Sequence, residues 1–200
     1  MHINISSGKV NYSQRNNERD PLFTCNTTSM VMALCYLGYK FPDGKYKQPE
    51  DNCHAFITEE LKLRPWVHAE LSFGVNKWMG KNVTDFATIR PINDIFEQLK
   101  QNKPVVLSGD FPGVPTKRLA PLGHIVCLVG AIWNMNIFLR RPTTVIIDDP
   151  YGNTLNDWKG SGNDIELSWT QFVDWFKPCG SEAVKWGHFF KTPEEARDVI

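Results

Sequence analysis

His124-Ile125-Val126-Cys127-Leu128-Val129-Gly130 is the strongest strand signal in the chain. It is an apolar, β-branched run bounded by Gly123 and Gly130, with the length of a buried strand. Two runs of the same texture flank it: Pro104-Val105-Val106-Leu107-Ser108-Gly109 before, and Thr143-Thr144-Val145-Ile146-Ile147-Asp148-Asp149 after. Together they predict strands of one sheet. Lys185-Trp186-Gly187-His188-Phe189-Phe190 predicts a final strand.

The first half of the chain reads as helix. Residues 1–24 are polar, with Asn16-Asn17-Glu18-Arg19-Asp20-Pro21 as a turn-rich approach. A helix is expected from Cys25, with Thr24 as N-cap, Met30, Ala33, Leu34 and Leu37 on its apolar face, and Gly38 as its stop. A helical region follows over residues 51–81, interrupted near Arg64-Pro65. Pro91 opens another helix that Pro104 closes. Ser168-Trp169-Thr170-Gln171 has the form of a capping box and predicts a short helix through Phe176. Helices first and an antiparallel sheet afterwards indicate an α+β fold.

The 200 residues suit one domain spanning 1–200. The 22 basic and 22 acidic residues balance, which gives no electrostatic footprint for nucleic acid or a membrane surface. Cys25, Cys35, Cys53, Cys127 and Cys179 are odd in number and form no CxxC pair, so they read as reduced thiols. The opening residues lack the basic start and apolar run of a signal peptide. Seven tryptophans read first as core, with cleft lining as their other use.

A cysteine becomes a good nucleophile at a helix N-terminus or beside an imidazole. Cys25 stands where the first device acts. Cys35 and Cys127 lie inside apolar segments and read as buried spectators. Cys53 adjoins His54, but adjacent residues on a helix do not face each other. Cys179, between Pro178 and Gly180, has no evident base. His124, at the mouth of a strand, can project a base into a cleft. The next strand ends in Asp148-Asp149-Pro150. Successive strand residues face opposite sides, so one aspartate of the two should point at His124. Singly, each feature is commonplace. The reading rests on all three in the order Cys, His, Asp.

Thr24-Cys25-Asn26-Thr27-Thr28-Ser29-Met30-Val31-Met32-Ala33, then Gly123 to Gly130, then Val145-Ile146-Ile147-Asp148-Asp149-Pro150-Tyr151-Gly152 resemble three motif blocks of a papain-like family. Lys103-Pro104-Val105-Val106-Leu107 is similar to the strand that usually precedes the histidine block. This is the branch related to bacteriocin leader peptidases, the peptidase C39-like family, and the matching blocks span residues 14–152. The resemblance implies a papain-like fold, with N-terminal helices packed on a C-terminal antiparallel sheet. It implies Cys25 as nucleophile, His124 as base and Asp149, which directly precedes the proline, as orienting carboxylate. It also implies an oxyanion-hole glutamine six residues before the cysteine, where this chain has Arg19. The nearest glutamine is Gln14, which an inserted turn would bring to the site. The usual glycine after the cysteine is Asn26 here.

The implied activity is hydrolysis of peptide or amide bonds through a thioester, without metal or cofactor. Free-standing members of this kind resemble phage-type lysins that cut peptidoglycan peptides. The expectation is a monomer made in the cytoplasm that acts on the cell wall after release. An intracellular protease of ordinary peptides and an inactive papain-like peptide-binding module are the alternatives. Residues 157–164 carry oxygens of the kind that bind calcium but lack EF-hand spacing, and read as a solvated loop. The sequons at Asn26 and Asn82 read as accidental.

Overall fold

The computed structural model describes residues 1–9, 12–111, 123–134, 141–176 and 183–199; Cys179 lies outside them. In chain order the elements are β1 (His2–Asn4), α1 (Cys25–Tyr36), α2 (Pro49–Ala55), α3 (His68–Met79), β2 (Thr84–Pro91), α4 (Ile92–Lys100), β3 (Val105–Gly109), β4 (His124–Ile132), β5 (Thr144–Asp148), β6 (Ile165–Ser168), α5 (Trp169–Phe176) and β7 (Ala183–Phe190). The fold is therefore mixed α+β. The strands form one seven-stranded sheet in the order β2-β7-β3-β4-β5-β6, with β1 also on β4. Every pairing is antiparallel.

β4 is the central strand, and His124 to Ala131 are all buried. Burial on both faces explains why its sequence is continuously apolar instead of alternating. β3 pairs with its first half, from Gly109↔His124 to Val105↔Leu128. β5 pairs from Cys127↔Asp148 to Ile132↔Thr144, with a register shift between Leu128 and Gly130. β1 pairs with Gly130 to Ile132, so it continues the line of β3 on the opposite edge from β5.

α1 contacts α2, α3, β3 and β4, and only Cys25 and Cys35 along it are not buried. The expected single apolar stripe is thus one part of a helix enclosed on all sides. Polar groups on the enclosed faces find partners: the Ser29 hydroxyl donates to the Ile125 carbonyl of β4 at 3.0 Å. Gly38 ends the helix in the left-handed region at φ +82°.

Several elements depart from the expectation. β1 precedes every helix and β2 stands between α3 and α4, so helices and strands are not fully segregated. β2 is an edge strand on β7 and carries charged residues such as Asp85 and Arg90. Such charges blunt an edge and also disguise it in sequence. Pro91 ends β2 and caps α4 from outside, at ψ 136°, rather than sitting in the helix's first turn. The helical stretch around residues 51–81 starts at Pro49, runs through a wide turn at Phe56–Glu60, breaks, and resumes at His68. The capping box is present: Gln171 N donates to Ser168 Oγ at 3.2 Å, and Ser168 N to Gln171 Oε1 at 2.9 Å. No helix among the described residues is long and apolar enough to cross a membrane.

Candidate active site

The segment before α1 is tied down by side chains. Asn17 Nδ2 donates to Thr24 Oγ1 (2.9 Å) and Thr28 Oγ1 (3.1 Å). Asp51, in the first turn of α2, accepts from the amides of Glu18 (2.9 Å) and Arg19 (3.0 Å). Thr24 does not cap the helix with its side chain, as expected above. Its hydroxyl donates back to the Asp20 carbonyl instead. Asn26 is buried, and its side-chain carbonyl accepts from Thr27 N at 2.8 Å. The residue replacing the usual glycine is thereby folded onto the helix terminus.

Cys25 is the first residue of α1 and is partly exposed, in contrast to the fully buried Cys53 and Cys127. Burial pushes the Cys53 and Cys127 thiols up, which keeps them protonated and inert. Cys35, expected to be buried, is partly exposed.

His124 opens β4 and is almost completely buried. Its Nε2 lies 2.8 Å from Asp149 Oδ1, and Cys25 is near enough to the ring to act on its charge. With Nε2 occupied by Asp149, Nδ1 is the nitrogen left to face the thiol. Burial alone would depress the imidazole. The Asp149 charge and hydrogen bond, with Cys25 adding to them, outweigh that and raise it to about 10. The ring is accordingly an imidazolium at neutral pH.

The two aspartates that close β5 divide as strand alternation requires. Asp149 turns to His124, and its Oδ1 also accepts from Tyr151 N at 2.8 Å. Asp148 turns the other way. Its Oδ2 accepts from Tyr36 Oη at 2.6 Å, and its Oδ1 from Asp164 N at 2.7 Å. Burial raises the Asp148 carboxyl to about 6, against the hydrogen bonds it receives.

Gln14 is buried and lies between the two halves of the site. Its backbone N–H donates to the Pro150 carbonyl at 2.9 Å, and its Nε2 to the Pro21 carbonyl at 2.9 Å. Its Oε1 has no partner among the described residues. Arg19, at the family's glutamine position, points away toward Glu59 and Tyr46.

The loop after Asp149 supplies residues that sequence reading missed. Residues 157–164 are not a plain solvated loop, because Trp158 within them is 3% exposed. The Trp158 ring stands edge-on to His124 at 5.2 Å, and Phe111 does the same at 5.2 Å from its own side. These aromatic rings exclude water from the His124–Asp149 bond. Asp157 and Trp158 both adopt positive φ, +48° and +62°, to make the turn. A Cβ on Gly162 would come within 1.9 Å of the Asp149 carbonyl, so the loop passes the Asp149 backbone where only glycine fits. Asp164 spends its oxygens on Asn4, Ser6 and Asn163. Among the described residues, no group of three His, Cys, Asp or Glu is placed to hold a metal ion.

A partly exposed thiol at a helix N-terminus, near a histidine that a buried carboxylate holds, is an arrangement suited to thiol-nucleophile chemistry. The family model described as "Peptidase_C39 like family" matches residues 9–175. The chain belongs to that peptidase family, and the membership points to cysteine-peptidase chemistry. No curated protein matches the chain significantly.

Proposed function

We propose that this chain is a single-domain, papain-like cysteine endopeptidase in which Cys25 is the nucleophile, His124 the acid–base and Asp149 the orienting carboxylate. The papain-like arrangement is the helical half resting on the antiparallel sheet, with the site at their junction. The observation that carries the reading is His124 with its Nε2 2.8 Å from Asp149 Oδ1 and its ring under the influence of Cys25 at the start of α1.

The Cys25 thiolate attacks the carbonyl carbon of a peptide or amide bond. The developing oxyanion is held by the Cys25 backbone N–H, which has no acceptor within its own helix, and by Gln14. One Nε2 proton of Gln14 is engaged by Pro21; the other serves the oxyanion. His124 Nδ1–H protonates the leaving amine, and a thioester remains. Neutral His124 then takes a proton from water, which attacks the thioester and releases the acid. Asp149 keeps the ring oriented throughout.

The substrate class is the peptide portion of peptidoglycan, cut by a monomer after release from the cell that made it. Purified sacculi test this. Release of free amines without new reducing ends is expected from the wild type and none from C25A. Q14A should lower kcat by about 10²–10³, the usual cost of losing one oxyanion donor. Cleavage of casein but not of sacculi would replace the cell-wall substrate with ordinary peptides. Activity retained in C25A would overturn the mechanism.

A further inference from the structure

Arg15 follows Gln14 directly, and its side chain is fixed although the residue is exposed. The guanidinium carbon lies over the Tyr151 ring, 4.5 Å from its centroid, and Nη2 donates to the Trp158 carbonyl. An exposed arginine ordinarily samples many rotamers. Here a cation–π contact and a charge-assisted hydrogen bond hold it in one.

The surrounding chain is shaped for that arrangement. Gly152 has φ +137°, and a Cβ there would meet the Trp158 carbonyl at 2.6 Å and Arg15 Nη2 at 3.3 Å. Trp158 in turn stands edge-on to both Tyr151, at 5.7 Å, and His124, at 5.2 Å. Arg15 is therefore linked to the base through a single residue.

The acidic residues of the adjoining segments do not neutralise it. Asp20 is 3.7 Å from His54 Nε2, and Asp51 receives the Glu18 and Arg19 amides. Arg15 makes no ion pair among the described residues, although its planar fork carries five N–H donors and only one bond to protein is present. A pinned, unneutralised, exposed guanidinium one residue removed from His124 is a receptor for a carboxylate.

Its side of the scissile bond follows from the proposed mechanism, on which this inference rests. His124 protonates the leaving amine, so groups that flank the outer face of His124 flank the leaving portion of the substrate. Trp158 is such a group, and it carries Arg15 on its carbonyl. We infer that Arg15, held in place by the Tyr151 ring and the Trp158 carbonyl, is a carboxylate-binding subsite that selects substrates bearing an acidic group on the leaving-group side of the scissile bond.

Two disulfide reagents test this without knowledge of the natural substrate. The Cys25 thiolate attacks 5,5′-dithiobis(2-nitrobenzoate) and expels a thiolate that carries a carboxylate; with 4,4′-dithiodipyridine the leaving group has none. The rate at Cys25, located by mass spectrometry of the modified peptide, is measured for both reagents at low salt. The ratio of the anionic to the neutral reagent is expected to fall about threefold to tenfold in R15Q. R15K keeps the cation and should retain most of the ratio, which separates loss of charge from loosening of the Trp158 loop. An unchanged ratio in R15Q, or an equal fall in R15K, overturns the subsite and leaves the catalytic reading standing. Failure of wild-type Cys25 to react with either reagent overturns the catalytic reading and the subsite with it.

Discussion

Asp148 and Asp149 are adjacent, yet they bind groups on opposite faces of β5: Asp149 Oδ1 is 2.8 Å from His124 Nε2, and Asp148 Oδ2 is 2.6 Å from Tyr36 Oη. In the proposed mechanism one carboxylate serves the chemistry, while the other joins β5 to the end of α1. Their variants should separate cleanly. D149A should lower kcat/KM at neutral pH by at least about 10², because the imidazolium loses both its orientation and its counter-charge. Y36F should leave Asp148 with one buried bond fewer and cost about 1–2 kcal/mol in urea denaturation. Its folded fraction should cleave substrate at close to the wild-type rate.

The raised imidazole of His124 sets an alkaline limit. A histidine whose folded-state pKa lies above its ordinary value stabilises the fold fully at low pH. It loses that contribution as pH rises from about 6.5 toward about 10. The same deprotonation removes the acid that the leaving amine needs. Cleavage rates should therefore hold through neutral pH and decline near pH 10. D149N should move that decline to lower pH. A decline at the same pH in D149N would show that another group controls it.

The Trp158 ring should matter to the His124–Asp149 bond through dryness. W158A opens the His124–Asp149 bond to water and removes a buried ring, which should cost about 3 kcal/mol or more of stability. Below its melting transition, W158A should show a weakened kcat, and its alkaline decline should move toward neutrality. W158F, which restores an apolar cover, should recover most of both.

A second histidine contact has the opposite pH dependence. His68 Nδ1 and His188 Nε2 are 2.9 Å apart, with His68 stacked between Phe86 and Trp186. Burial lowers His68 to about 4, and burial, with His68 and Arg90 nearby, holds His188 well below its ordinary value. Both rings are neutral in the folded protein. Their stabilisation is complete above about pH 6.5 and is lost as pH falls toward about 4. Urea midpoints measured between pH 7 and pH 4.5 should fall steeply for the wild type and less steeply for H188F.

No other residue among those described pairs with the Glu50 carboxylate, and burial raises it to about 7, against its own backbone amide and with Asp51 adding to the rise. A raised carboxyl costs stability once pH exceeds its unfolded value of about 4.3, increasingly so through pH 7 and above. E50Q should match the wild type near pH 5. It should exceed the wild type at pH 8 by about 1–3 kcal/mol, read by denaturant titration.

The elements legible in the sequence are those whose information is local. β3, β4 and β5 carry uninterrupted β-branched runs, and Ser168 with Gln171 writes its own cap. That one aspartate of the two faces His124 follows from strand alternation, while the choice of Asp149 comes from the resemblance and the proline after it, not from local pattern. β1, β2 and β6 were illegible because a strand of three or four residues, or a charged edge, has little pattern of its own. Trp158 was hidden for another reason. It is buried by a loop that turns through two consecutive left-handed residues, and its burial depends on where His124 stands. Thr24 looked like a cap, but Asn17 and the Asp20 carbonyl compete for its hydroxyl.

The register shift in β4 falls between Leu128 and Gly130, beyond the segment that pairs His124 with Gly109. Irregularity is thus kept at the far end of the strand, where β1 joins. The near end remains regular, and a slip there by one residue would turn His124 to the other face of the sheet. The catalytic geometry is in this sense calibrated by hydrogen-bond counting along β3 and β4. An insertion or deletion of one residue in either strand would silence the site without touching any residue in it.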